Sequence, residues 1–108
     1  MAFDPLPPSW IASWSEDGTT VSFPIASVPE LTAAEADATA GDIRKTLFAI
    51  CDQLADVWYT QATADRPAYM TIYRSTSSDE AAGTETKQYV FRFTTEVAAG
   101  GREVIAEA

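Results

Sequence analysis

Residues 42–59, DIRKTLFAICDQLADVWY, decide how the chain is read. Within them Ile43, Leu47, Ile50, Leu54 and Val57 recur at spacings of four and three, so an α-helix would carry all five on one stripe. Cys51 and Trp58 lie beside that stripe. Phe48, Ala55 and Tyr59 widen the apolar arc, and Lys45, Thr46, Asp52, Gln53 and Asp56 mark a wet side. The pattern predicts one main helix from about Asp42 to Tyr59, with Leu47 and Leu54 in the core and a flank at Phe48 and Tyr59 free to touch something else.

Upstream, residues 26–41 hold several helix-start signals: Ser27 with Glu30, Thr32 with Glu35, and Thr39 with Asp42. They predict a short helical turn near Leu31 to Ala36, a break at Ala40-Gly41, and then the main helix. Further back, Trp10, Ala12 and Trp14 alternate with Ile11 and Ser13. Glu16-Asp17-Gly18 supplies turn chemistry, and Val21, Phe23 and Ile25 alternate with Ser22 and Pro24. The expectation is a β-hairpin with both tryptophans on one face. Residues 1–8 carry Pro5, Pro7 and Pro8 and read as an extended Pro-rich arm.

Downstream of the helix, Tyr69 to Thr76 and Lys87 to Val97 alternate as two strands of a second hairpin around a polar segment, Ser77 to Glu85. Tyr89, Phe91 and Phe93 share one face of the second strand. Gly100-Gly101 interrupts the pattern and leaves 100–108 as a flexible tail, with Val104 and Ile105 able to add a short strand. The order hairpin, helix, hairpin predicts a single α+β domain over 1–108. Its expected core is one antiparallel sheet of about four strands (ββαββ) with the helix on one face.

The 108 residues include 16 acidic and 7 basic side chains, a formal net charge of −9. Phosphate-backbone affinity comes from clustered Lys and Arg, so neither nucleic acid nor an anionic membrane is an expected partner. The start lacks a basic n-region and an apolar h-region, and no run is long enough to span a bilayer. The single cysteine, Cys51, cannot close an intramolecular disulfide, and a cytoplasmic location is the expectation.

The absence of histidine removes every triad that uses it and a major metal ligand. Cys51 sits next to the core stripe, where a cysteine packs as a small hydrophobe. Lys45 and Lys87 read as solvated, which disfavours a Ser-Lys pair. Asp52 and Asp56, four apart on the helix, would repel one another, and two carboxylates alone make a weak metal site. Asp37, Thr39 and Asp42 around Gly41 depart from calcium-loop spacing and are explained by capping. The glycines form no phosphate loop. No catalytic residue, cofactor or metal is therefore expected.

What the chemistry leaves over is aromatic surface. One helix covers one sheet face, so some of Trp10, Trp14, Tyr69 and Tyr73 are expected to meet a partner, together with Phe48, Tyr59 and Arg92. The leading expectation is a non-enzymatic, homo-oligomeric structural or assembly protein, with a virus-like or prophage particle as one setting. Rival readings are a carbohydrate-type ligand module built on an aromatic sheet face, an acidic decoy that mimics nucleic acid and, more remotely, a metal-dependent enzyme.

Overall fold

In a computed structural model, residues 6–97 and 103–105 are described. They fall into two compact units, residues up to Gln61 and residues from Ala62 onward.

The first unit holds a two-residue pair, β1 (Ser15–Glu16) and β2 (Val21–Ser22), and the helix α1 (Ile43–Thr60). Asp17 makes the β1–β2 turn: its carboxylate accepts from the backbone N–H of Thr20 at 2.7 Å and of Thr19 at 2.9 Å. These two donors, Thr20 first, hold its carboxyl below the usual range. Three further local signals are used, each differently. Thr32 and Glu35 form a reciprocal box, Thr32 N–H to Glu35 at 2.9 Å and Glu35 N–H to the Thr32 hydroxyl at 3.3 Å. That box closes one turn, through Ala36 N–H to Thr32 C=O, and no helix grows from it. Ser27, expected as a cap, donates instead to the Ala12 carbonyl.

Asp42 caps α1. Its carboxylate accepts from the Arg44 N–H at 2.9 Å and from the Arg44 guanidinium at 2.7 and 3.0 Å. The guanidinium and then the backbone donor pull its carboxyl from 3.8 down to about 2. Gly41 is required just before it, because a Cβ there would run into the backbone carbonyls of Glu35 and Asp37.

The core of this unit is Val28, Leu31 and Ala49, with Phe23 and Ile50 packed against it. This corrects the expected helix face. Ile43 is 68% and Leu47 54% exposed, while Ala49, Ala55 and Trp58 are buried and Ile50, Leu54 and Val57 half-buried. Val28 and Leu31 meet α1 at the small Ala49 side chain, and the first turn of the stripe is left open. The side expected to be wet instead binds backbone: Gln53 donates to the Trp10 carbonyl at 3.1 Å and Thr46 to the Glu35 carbonyl at 3.4 Å.

The first hairpin is also shorter than its alternation suggested. Pro7 and Pro8 open a 3₁₀ turn, Pro7–Ser9, in which the N–H groups of Trp10 and Ile11 both return to Pro7 C=O. The consecutive residues Trp10 and Ile11 are then both buried, unlike the alternation of a strand with one covered face, and Ser13 has φ +60°. A second 3₁₀ turn, Ile25–Ser27, follows Pro24 and leaves Ile25 and Val21 exposed. Residues 1–5 of the expected arm lie outside the described residues.

In the second unit β3 (Met70–Asp79) and β4 (Thr84–Phe93) form a ten-residue antiparallel hairpin, and β5 (Thr95–Val97) pairs with β6 (Glu103–Ile105). The polar segment expected as a loop is mostly strand, and only 80–83 turn, with Gly83 at φ +68°. The added strand around Val104 and Ile105 is present; 100–102 and 106–108 of the expected tail lie outside the described residues. The α+β class holds. The single four-stranded sheet does not: β1–β2, β3–β4 and β5–β6 are separate two-stranded pieces among the described residues. No helix among the described residues is long and apolar enough to cross a membrane.

Two outcomes test this packing. Leu31→Ala is expected to cost about 2–3 kcal/mol and Leu47→Ala less than about 0.5 kcal/mol, read from urea unfolding midpoints. Because the Asp42 carboxyl is depressed, its contribution is complete above 3.8 and is lost as pH falls towards about 2. The stability gap between the native chain and Asp42→Ala should close over that pH window in the same assay.

Candidate functional site

The pairing register of β3 and β4 sorts the hairpin into two faces. Met70, Ile72 and Arg74 stand opposite Phe93, Phe91 and Tyr89, and on the other face Thr71, Tyr73 and Ser75 stand opposite Arg92, Val90 and Gln88. On the first face Ile72 is buried and Met70, Arg74, Tyr89 and Phe91 are half-buried. Tyr89, Phe91 and Phe93 do share a face, as their alternation implied. The second face is open: Thr71, Tyr73 and Arg92 are exposed, and Val90 and Ser75 are half-buried.

Two shallow concavities meet on Thr71 and Arg92. One, about 300 Å³, is lined by Thr71, Tyr73, Val90 and Arg92. The other, about 600 Å³, lies at the end of the hairpin and is lined by Tyr69, Met70, Thr71, Arg92, Phe93 and Thr94. Tyr69 enters β3 with φ +63°, a left-handed conformation that is costly for a bulky residue, and its carbonyl accepts from Thr94 N–H at 2.9 Å. That hydrogen bond ties the ends of the hairpin together beside the larger concavity. Arg92 faces Thr71 across the strands.

Three of the expected contact residues, Tyr69, Tyr73 and Arg92, thus gather on one surface. Phe48 and Tyr59 lie in the other unit, half-buried and exposed respectively on α1. The two tryptophans depart from expectation. Trp10 is 9% exposed, and Trp14 is half-buried with its ring stacked on Phe23 at 5.9 Å between centroids. Thr71 and Val90, which line the same concavity as Tyr73 and Arg92, were not among the expected residues; the cross-strand register with Arg92 and Tyr73 is the signal that finds them.

The surface offers a guanidinium fork, two phenols, hydroxyls and apolar edges. Its lining residues include no carboxylate or thiol. Elsewhere, Asp37 accepts from Thr39 N–H, the Thr39 hydroxyl and Ala40 N–H, which lower its pKa and make it a local turn former. Asp52 and Asp56 join no cluster of three or more metal-ligating side chains among the described residues.

No protein family, curated protein or solved structure matches the chain.

Cys51 is half-buried in α1, and burial pushes its thiol pKa up. Alkylation by iodoacetamide at neutral pH is therefore expected to be slower than for a free cysteine and to reach the free rate in urea. Equal rates in both states would contradict a packed thiol.

Proposed function

We propose that this chain is a non-enzymatic structural subunit that associates with copies of itself through the open face of the β3–β4 hairpin. The observation that carries this reading is the exposure of Tyr73, 57%, in the middle of a ten-residue strand and beside exposed Arg92. Tyrosine and arginine around apolar neighbours are the composition of interface centres, because each combines large contact area with a polar group. Tyr69, also exposed, lines the adjoining concavity at the end of the hairpin. The sequence has no histidine, and the lining residues supply no acid–base pair, which favours recognition over turnover. A subunit of a virus-like or prophage particle is a setting suited to such a chain, by analogy of role alone.

A carbohydrate-binding reading has one observation in its favour, a tyrosine face flanked by the Thr71 hydroxyl and the Arg92 guanidinium. It loses the two tryptophans on which a stacking site would have relied, since one is buried and the other is occupied by Phe23.

Absolute mass by light scattering after size exclusion, over a wide concentration range, separates these readings. Self-association predicts a dimer or larger species at high concentration, weakened about tenfold by Tyr73→Ser with an unchanged circular dichroism spectrum. A monomer at every concentration would sink the proposal.

A further inference from the structure

From Thr76 to Gln88 every residue of the hairpin is exposed. This distal half has no covered face, and a two-stranded ribbon without one is marginal in water; a third and fourth strand are the usual remedy. Both outer edges are open to such strands, because β3 and β4 pair only with each other among the described residues.

The two edges differ in charge. Distal β3 runs Thr76-Ser77-Ser78-Asp79 into Glu80 and carries no cation, whereas distal β4 runs Thr84-Glu85-Thr86-Lys87-Gln88 with one charge of each sign. Copies of a chain with net charge −9 repel one another, so close contact favours a stretch that is locally neutral and self-complementary.

We propose that two copies of this chain join edge to edge along β4, antiparallel across Thr86, with Glu85 of each copy opposite Lys87 of the other. This rests on the self-association reading above and adds to its open-face contact a second one, along the β4 edge. Opposite-charge pairs directly across an antiparallel ladder stabilise it, and like charges destabilise it. Sliding the copies by two residues one way sets Lys87 against Lys87, and sliding them the other way sets Glu85 against Glu85. The same two charges thus deter neighbouring registers while allowing this one, a selective form of the charged edge that blocks indiscriminate pairing. Residues directly opposite share a sheet face, so the four-stranded product carries both copies of the Thr71, Tyr73, Val90 and Arg92 surface on one side.

Charge reversal and crosslinking test the register. Glu85→Lys and Lys87→Glu are each expected to raise the dimer dissociation constant about tenfold, measured by light scattering, and the double swap to restore it. The two reversals change net charge in opposite directions, so a bulk charge effect would strengthen one and weaken the other, which would overturn the pairing. In a Cys51→Ala background, Thr86→Cys is expected to form an interchain disulfide on mild oxidation. Opposite Cα atoms in a ladder lie about 4.5–5.5 Å apart, within disulfide reach. Thr84→Cys should not crosslink, since its copies would lie about 13 Å apart along the strands. A native dimer indifferent to both reversals, or one crosslinked by Thr84→Cys and not by Thr86→Cys, overturns the register and leaves self-association standing. A chain monomeric throughout overturns both.

Discussion

A two-stranded sheet satisfies the backbone of each strand on one side only. In this protein β3 and β4 run ten residues each and, among the described residues, form strand pairs only with each other, and the properties of the second unit follow from it. Near the base, Ile72 is buried and the Tyr69–Thr94 hydrogen bond holds the strand ends together. Towards the turn no side chain is covered, and the ribbon relies on cross-strand pairs of Ser, Thr, Glu and Lys. The open aromatic face and the open edge belong to the same hairpin, and the proposed association with further copies of the chain would draw on both.

The first unit is held in a different way. Its packed centre is small, Val28 and Leu31 against Ala49, and much of its order comes from local polar closure: the Asp17 turn, the Thr32–Glu35 box, the Asp37 turn and the Asp42 cap. Carboxylates do this work in a strongly acidic chain, each accepting from nearby backbone N–H groups. Three of them are held below their ordinary pKa, Asp17 and Asp37 chiefly by those donors and Asp42 chiefly by the Arg44 guanidinium. Acidic residues that look like surplus charge or a metal loop in the sequence are thereby committed to turns and a helix start.

Local signals were legible and tertiary ones were not. The helix from Asp42 to Tyr59 was read to within a residue, because its period and its Asp42 cap are properties of consecutive residues. Its buried side was misread: Leu47 and Ile43 obey the period, but only Val28 and Leu31, brought back by the preceding turns, decide that Ala49 is covered instead. Likewise Trp10 to Trp14 alternates as a strand would, yet the ring constraint of Pro7 and Pro8 winds the chain into a 3₁₀ turn first. The second hairpin was legible, although its polar distal half resembled a loop because no hydrophobic alternation marks it. On the open hairpin surface, Tyr69, Tyr73 and Arg92 were legible as aromatic and cationic residues, and Thr71 and Val90 required the register.

The proposed pairing gives the outer edge of β4 strand partners from another copy of the chain. Amide hydrogen exchange of residues 84–88, followed as protein concentration is raised, reads that pairing out. Those β4 amides whose N–H groups point away from β3 are expected to become progressively protected, while the β3 amides facing outward stay open. Protection that is the same at every concentration, or that grows on the β3 edge instead, would rule the pairing out.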